Sequence, residues 1–222
     1  MSDTIANKII EQCKDYTMTS PERLLSVIES VRYIVKNNIQ GDLVECGVWR
    51  GGSSMAAALT LHSLDSFDRK IYLYDTYEGM TEPTDRDKDH SGKSASQLLK
   101  ESDYNTSIIW AVSRFDEVTK NMKQTYYPMN NIVFVKGPVE KTIPDKIPKA
   151  IALLRLDTDW YESTLHELTH LYPLVSPKGV TIIDDYGHWQ GSQLATDTYF
   201  EGTGFTPFLH RIDYTGRLIV KN

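Results

Sequence analysis

We predict a Rossmann-like α/β sandwich for this 222-residue chain. Short apolar runs alternate with helical patterns, which is the order expected of repeated β-α units. The runs are "DLVECG" (42–47), "KIYLYD" (70–75), "NIVFVKG" (131–137), "AIALLRLD" (150–157) and "GVTIIDD" (179–185). Two alternating runs around a glycine-containing turn in "FLHRIDYTGRLIV" predict a closing hairpin. The expected sheet is therefore mostly parallel, is covered by helices on both faces, and has an antiparallel edge.

The helices are predicted from start signals and apolar spacing. Ser20 supplies a hydroxyl cap and Pro21 occupies the first helical position, and apolar residues then recur at helical spacing as far as a helix end near Gly41. Further helices are expected at about 52–64, 113–126, 161–174 and 192–201. Residues 1–40 therefore form an N-terminal helical region.

Residues 78–104 are polar and charged, and this stretch is long for a connection within a compact domain. Loops of this length commonly act as lids or binding segments. A disordered surface excursion fits the same composition. Both interpretations stay open at this point.

Length and composition predict a single cytoplasmic domain covering residues 1–222. The longest apolar run is far shorter than the roughly 20 residues of a membrane span, and the N-terminus lacks the apolar core of a signal peptide. The formal net charge is −6 without a cluster of Lys and Arg, which argues against nucleic acid as a partner. Two cysteines, Cys13 and Cys46, are too few for a thiolate metal site, and Cys46 is expected to pack within a strand.

The first strand runs into a glycine-rich turn, "ECGVWRGGSS". Glu45 and Gly47 end the strand, and Gly51, Gly52 and Ser53 begin the next helix. Glycines permit positive φ and the close approach of a ligand to the backbone, and the amides of a helix start favour anions. The spacing is not that of the dinucleotide motif G-x-G-x-x-G, and a tight turn needs glycine even without a ligand. A ligand site and a purely structural turn are both compatible with this pattern.

The second strand ends in Asp75, followed by Thr76. A carboxylate at this position, 24 residues after Gly51 (75 − 51 = 24), can accept both hydroxyls of a ribose. A helix cap is the alternative role for the same residue.

The fourth and fifth strands end in Asp157 and in Asp184-Asp185. Three carboxylates at one sheet edge repel one another unless a cation lies among them, and an all-oxygen donor set suits Mg²⁺, Mn²⁺ or Ca²⁺. The alternative is that Asp184 caps a helix while Asp185 is solvated. His188 follows closely enough to act as a base or to hold a substrate hydroxyl, or it is a surface histidine.

Several other residues are weaker candidates. His166 and His170 have the spacing of a zinc pair but lack its surrounding pattern, so we expect helix-surface or packing roles for them. Four aromatic residues flank the site candidates and predict either walls for a sugar or polyketide, or core packing: Trp49, Trp160, Tyr161 and Tyr186.

The chain resembles the macrocin O-methyltransferase family, metal-dependent enzymes that use S-adenosylmethionine to methylate hydroxyls on sugars of antibiotics and related glycans. The matching stretches are "VECGVWRGGSS", "YDTYEGM", "LLRLDTDWYEST" and "GVTIIDDYGHWQG", which with their order span most of residues 40–191. The resemblance implies a class I methyltransferase fold. It also implies a Mg²⁺-dependent transfer of a methyl group to a sugar or a glycosylated natural product.

The resemblance further implies roles for individual residues. The expected cofactor-binding residues are Glu45, Gly47, Trp49, Gly51, Gly52, Ser53, Asp75 and Thr76, with Asp75 on the ribose. Asp157, Asp184 and Asp185 would bind Mg²⁺. Related catechol-type enzymes place a lysine base after the first metal aspartate, whereas this sequence has Asp159 and two aromatic residues there. The base is therefore either Asp157 or His188, with a slight preference for Asp157 because it already contacts the metal.

Other functions remain as alternatives at this level. An NAD-dependent oxidoreductase suits the fold but lacks the G-x-G-x-x-G motif and leaves the three aspartates unexplained. A metal-dependent hydrolase would use the aspartates alone, and a cofactor-binding protein would need no catalysis. The stretch "SQLATDTYF" (192–200) departs from the family pattern, so the acceptor is not predicted. A homo-oligomer is plausible by analogy with relatives.

Overall fold

A seven-stranded sheet lies at the centre of the computed structural model, which describes residues 3–222. In chain order the strands are β1 (Asp42–Cys46), β2 (Ile71–Asp75), β3 (Ile132–Lys136), β4 (Ile151–Leu156), β5 (Val175–Ile183), β6 (His210–Arg211) and β7 (Arg217–Val220). Their spatial order is β3-β2-β1-β4-β5-β7-β6. Strands β1 to β5 pair in parallel, and β7 is antiparallel to both β5 and β6. The predicted parallel sheet with an antiparallel hairpin is confirmed.

Helices cover both faces of this sheet. They are α1 (Thr4–Cys13), α2 (Pro21–Lys36), α3 (Gly52–Ser63), α4 (Ala95–Lys100), α5 (Phe115–Lys123), α6 (Val139–Thr142), α7 (Tyr161–Leu171) and α8 (Gln190–Thr203). One buried core joins the sheet to α1, α2, α3 and α5, and a second joins the opposite face to α6, α7 and α8. Strand β4 is buried along its whole length, as expected of a central parallel strand. No helix within the described residues has the length and hydropathy needed to cross a membrane.

Helix α2 begins where the sequence predicts but ends earlier. The hydroxyl of Ser20 accepts a hydrogen bond from the amide of Arg23 and caps the helix. The predicted end near Gly41 is wrong, because Asn38 adopts a left-handed conformation with φ of 52°. The amide of Ile39 then donates to the carbonyl of Ile34, a closure typical of helix C-termini.

Two other boundaries differ clearly from the predictions, and one short helix was not predicted. Helix α7 ends at Leu171 and gives way to a 3₁₀ turn, Tyr172–Leu174, since Pro173 has no amide hydrogen to continue the α-helical pattern. Strand β5 begins at Val175 instead of 179. The short helix α6 carries too little apolar periodicity to have been predicted.

The polar segment 78–104 is ordered and contains helix α4. Asp87, which is fully buried, anchors it by accepting hydrogen bonds from the amides of Thr84 and Tyr161, each at 2.7 Å. An isolated β-bridge joins Asp89 to Trp189 at the start of α8. The interpretation of this segment as a disordered excursion is therefore wrong.

Candidate active site

The carboxyl ends of β1, β4 and β5 lie side by side. Cys46 pairs with Leu156, which in turn pairs with Ile183, so the residues that follow these strands meet at one edge of the sheet. The strand order reverses between β1 and β4. Open α/β sheets bind ligands in the crevice outside such a switch point.

Three residues that follow strands near this crevice have strained backbone. Trp49, Tyr77 and Asp159 adopt left-handed conformations, with φ of 47°, 54° and 67°. Such a conformation costs a non-glycine residue about 1–3 kcal/mol and persists where the surrounding structure imposes it, often at functional sites. The three residues follow β1, β2 and β4.

Gly47 is required by the close contact between two strand ends. Its φ is +80°, and a Cβ atom built on it would lie 1.9 Å from the carbonyl oxygen of Asp157. A side chain here would push β1 away from β4 or displace Asp157. Glycine at this position therefore fixes where Asp157 lies.

Asp75 joins the turns that follow β1 and β2. Its Oδ2 accepts hydrogen bonds from the amides of Val48 (2.7 Å) and Trp49 (3.1 Å), and its Oδ1 accepts from the amide of Tyr77 (2.7 Å). Burial raises the pKa of this carboxyl group, and the three amides oppose the shift. The hydroxyl of Thr76 lies 3.4 Å from Oδ1, but its one proton is donated to the carbonyl of Gly79 at 2.6 Å. Since a carboxylate oxygen accepts about two hydrogen bonds, Oδ1 retains capacity for a ligand hydroxyl while Oδ2 is fully used.

A first cavity opens between the ends of β1, β2, β3 and β4. Four predicted cofactor residues line it: Gly47, Trp49, Asp75 and Thr76. The turn after β3, residues 137–140, forms another wall that the sequence analysis missed. The sequence offered one signal for this wall: "GPVE" (137–140) directly follows a predicted strand, where ligand-binding turns are expected.

The remaining predicted cofactor residues lie elsewhere. A Cβ atom on Gly52 would be 2.7 Å from Cβ of Thr17 and from the carbonyl oxygen of Tyr16, so the N-terminal segment covers this glycine. Gly51 has φ of +89° and packs toward α5. The two glycines are therefore explained by packing, and their assignment to a cofactor stays a prediction. The Oγ atom of Ser53 is buried and lacks a hydrogen-bond partner among the described residues.

Asp157, Asp184 and Asp185 form a carboxylate cluster. Each offers one oxygen, and the three oxygens lie within 4.8 Å of one another. The side chain of Asp157 is 27% exposed, whereas that of Asp184 is 2% exposed. Hard divalent cations take such oxygen-only donor sets, so the residues present fit Mg²⁺.

Two arginines lie beside these acids, and the sequence analysis missed both. Arg155, in β4, places Nη1 2.5 Å from Glu45 and 2.7 Å from Asp157, and Nη2 2.6 Å from Oδ1 of Asp184. Arg23 of α2 bonds the other oxygen of Asp184. The signal for Arg155 was an arginine inside the apolar run "IALLRLD", since a charge buried in a strand needs partners.

The cluster keeps an excess of negative charge despite these arginines. Burial raises the pKa of Asp157 and of Asp185 well above the usual carboxyl range, and neighbouring carboxylates add to the shift. Burial, followed by the charge of Asp157, raises the pKa of Asp159 to about 7. A bound cation would relieve this repulsion.

A second cavity adjoins the first and shares Asp157, Asp159 and Trp49 with it. The acid cluster and the two arginines line one side. Apolar lining comes from the region around and after α4: Leu98, Ile108, Ile109 and Ala111. The two cavities therefore meet at Asp157. The second cavity combines the charged side chains of the acid cluster with apolar lining from the region around α4.

His188 lies on the rim of the second cavity. Its Nδ1 is 3.1 Å from the hydroxyl of Tyr214, and its ring packs edge-on against Trp189 with centroids 5.0 Å apart. Burial lowers the pKa of His188, and the positive form of His90 adds to the shift. The neutral imidazole is therefore favoured. One of its ring nitrogens can accept a proton, and the other carries an N–H that can donate a hydrogen bond.

The weaker candidates mostly have structural roles. Trp160 is buried against Trp189, and Tyr161 lies beneath the guanidinium of Arg86. His166 and His170 bond the backbone carbonyls of Ile143 and His166, as expected of packing residues. Cys46 is fully buried, as predicted.

The family model described as macrocin O-methyltransferase matches residues 12–221. Demethyldecarbamoylnovobiocin O-methyltransferase of Streptomyces niveus is 33% identical over 184 residues, which are 83% of this chain and 67% of that protein. Mycinamicin III 3''-O-methyltransferase of Micromonospora griseorubida is 32% identical over 171 residues, 77% of this chain and 65% of that protein. The chain thus spans about two thirds of the length of these curated relatives.

Solved structures agree with this comparison. The O-methyltransferase NovP superposes with a TM-score of 0.81 at 30% identity, covering 93% of this chain and 82% of that one. The calicheamicin methyltransferase CalS11 superposes with a TM-score of 0.68 at 15% identity, covering 97% and 91%. The second likeness concerns the fold alone.

Proposed function

Since the chain belongs to the macrocin O-methyltransferase family, we propose that it transfers a methyl group from S-adenosylmethionine to a hydroxyl of a sugar or glycosylated natural product, with the aid of Mg²⁺. The single observation that carries the proposal is the meeting of the two cavities at Asp157. A donor in one cavity and an acceptor in the other would have their reacting atoms side by side. Such positioning is a large part of the catalysis of group transfer.

The first cavity fits the methyl donor. It is lined by Asp75 and by the turns after β1 and β3, and Oδ1 of Asp75 has capacity left for one ribose hydroxyl. Ser53 lines the second cavity, close to Trp49 where the two cavities adjoin, and its buried Oγ lacks a partner among the described residues. It would hold the polar methionine end of a donor that extends from the first cavity into the second. When bound, S-adenosylmethionine supplies a methyl group on a positively charged sulfur.

The carboxylate cluster fits Mg²⁺, which Asp157, Asp184 and Asp185 would hold. When bound, the ion supplies Lewis-acid stabilisation of negative charge on the acceptor hydroxyl. Manganese would be accepted by the same oxygen donors. The magnesium assignment is supported by the donor set, three carboxylate oxygens within 4.8 Å of one another.

The acceptor proton would pass to a residue of this chain. Asp157 is the base we prefer, since it borders both cavities. His188, neutral and on the rim, would bind a neighbouring hydroxyl or act as the base in its place. Asp159 stands where related enzymes have a lysine, and its raised pKa suits a proton shared with the nearby acids.

The apolar wall around α4 fits the less polar part of a glycosylated acceptor and would exclude water from the reacting atoms. Asp89 and Leu98 of the segment 78–104 line this cavity, so the segment would act as a lid together with residues 108–111 that follow it. We further propose that residues 1–222 form one catalytic domain located in the cytoplasm. Homo-oligomer formation stays a prediction, which light scattering on the purified protein would test.

The alternative functions find no support. The family and its curated members are O-methyltransferases, so an NAD-dependent oxidoreductase and a metal-dependent hydrolase are both disfavoured.

The test combines a binding screen with a transfer assay. S-adenosylhomocysteine should raise the melting temperature and NAD should not. S-adenosylmethionine with a labelled methyl group is then incubated with Mg²⁺ and a panel that includes demethyldecarbamoylnovobiocin, mycinamicin III and several nucleotide sugars. We expect label on a sugar hydroxyl of at least one acceptor. Stabilisation by NAD alone, without label on any acceptor, would overturn the proposal.

A further inference from the structure

Asp184 is held by two arginines that belong to different parts of the fold. Arg155 of β4 bonds its Oδ1, and Arg23 of α2 bonds its Oδ2. All three side chains are largely buried, with exposed fractions of 4%, 12% and 2% for Arg155, Arg23 and Asp184. The same carboxylate belongs to the cluster that fits a metal ion.

Each arginine is in turn tied to further elements. Arg155 reaches Glu45 on β1 and Thr19 before α2, the latter at 3.0 Å. Nε of Arg23 lies 2.9 Å from Asp213, which precedes the turn of the C-terminal hairpin. One ionic network, made entirely of protein side chains, therefore connects α2, β1, β4, β5 and the hairpin.

The charges decide what this network does. Buried carboxylates that face one another are strongly destabilising unless cations lie among them. Two guanidinium groups provide that positive charge within the protein. A carboxylate oxygen bonded to arginine keeps a second lone pair, so the same acids remain able to bind an ion.

We infer that Arg155, supported by Arg23, is a positioning residue that takes the place of the cation in the metal-free protein. Asp157 and Asp184 stay assembled before the ion arrives, and the fold does not depend on the metal for its stability. The inference rests on the proposed function only in assigning the ion to this cluster. It predicts that loss of the arginine charge converts the enzyme into one whose stability depends on metal.

The experiment compares the melting temperatures of the wild type, Arg155→Met and Arg69→Met, each in chelator and in excess Mg²⁺ or Mn²⁺. Arg69 is the matched control, because it donates to the carbonyls of Gly41 and Ile39, away from the acid cluster. The wild type should gain only a few degrees from metal. Arg155→Met should lose roughly 10 °C or more in chelator. It should also gain more from metal than the wild type, since the ion then relieves a larger repulsion. Arg69→Met should respond to metal as the wild type does.

Two outcomes would overturn the inference. The first is a wild type that unfolds in chelator at a temperature about 10 °C or more below that in metal. The second is an Arg155→Met variant whose melting temperature falls by the same amount, relative to the wild type, in chelator and in metal. An arginine with a merely structural role would behave in this way. If Arg155→Met does not fold in chelator, recovery of the fold on adding metal supports the inference, and continued unfolding contradicts it. Arg155→Lys keeps the positive charge but loses the forked guanidinium group. Its melting temperatures should therefore lie between those of Arg155→Met and the wild type.

Calorimetric titration of the wild type with Mn²⁺ separates this inference from the proposed function. Absence of binding would refute the metal-dependent mechanism. The lower melting temperature of Arg155→Met in chelator would still show that Arg155 stabilises the clustered carboxylates. Binding of Mn²⁺ with no difference between the metal responses of Arg155→Met and Arg69→Met would refute the inference and leave the mechanism intact.

Discussion

The hydroxyl of Tyr214 lies 3.1 Å from Nδ1 of His188, so the hairpin turn fixes the orientation of a histidine on the rim of the second cavity. Replacing Tyr214 by Phe removes this bond and leaves the ring in place. We expect kcat/KM for the acceptor to fall about two- to tenfold, the effect of one neutral hydrogen bond. Affinity for S-adenosylhomocysteine should not change. Tyr126→Phe, at an exposed position in another part of the fold, is the control. An equal loss of cofactor affinity would contradict the assignment of Tyr214 to the acceptor side.

Asp75→Asn should weaken binding of the methyl donor. The amide group of Asn cannot accept from all three backbone amides that Asp75 now satisfies, so the turns after β1 and β2 lose their common anchor. We expect the affinity for S-adenosylhomocysteine to fall roughly 10- to 100-fold in calorimetry. Mn²⁺ binding should be retained, and the exposed Asp145→Asn should behave as the wild type does. Unchanged affinity in Asp75→Asn would place the ribose elsewhere.

Gly47→Ala separates the cost of positive φ from the cost of a steric clash. Gly204 also has positive φ, but a Cβ atom built there meets nothing within 4 Å. Gly204→Ala should therefore lower the melting temperature by only about 2–4 °C. Gly47→Ala should lower it by roughly 10 °C, because the added atom meets the carbonyl of Asp157. Equal shifts in the two variants would mean that β1 and β4 separate easily at this point.

Acid should weaken the folded state through His188. Burial and His90 lower its pKa below the value of 6.5 expected in the unfolded chain. As the pH falls through that value, the unfolded chain binds the proton first, so the free energy of unfolding decreases until the folded pKa is passed. The melting temperature of the wild type minus that of His188→Asn should therefore shrink between about pH 8 and pH 5. His62→Asn, at an exposed position, is the control, and a difference that grows toward low pH would contradict the environment described.

The fold was largely predictable from the sequence, because strands buried on both faces read as apolar runs and each ends at a glycine or an aspartate. Local signals failed where a single backbone conformation or a proline decided the outcome, as at Asn38 and Pro173. The order of segment 78–104 was also hidden, since it depends on one buried carboxylate, Asp87, whose partners come from Thr84 and from the distant start of α7.

The candidate site was predictable in part. Asp75 and the three clustered aspartates were found from their positions at strand ends, which the topology brings to one edge. Arg23 and Tyr214 were not found, because helix α2 and the hairpin approach the site only through tertiary packing. Arg155 had a visible signal, a charge within a buried strand, and its partners became identifiable only once the strand register was known.

Metal-dependent methyl transfer is tested most directly with chelator-treated protein, labelled S-adenosylmethionine and a responsive acceptor from the panel, titrated with Mg²⁺. We predict that the wild type transfers label only when Mg²⁺ is present. Asp185→Asn should transfer none at any concentration while binding S-adenosylhomocysteine within about twofold of the wild type. Undiminished transfer in chelator, or an active Asp185→Asn variant, would contradict the account.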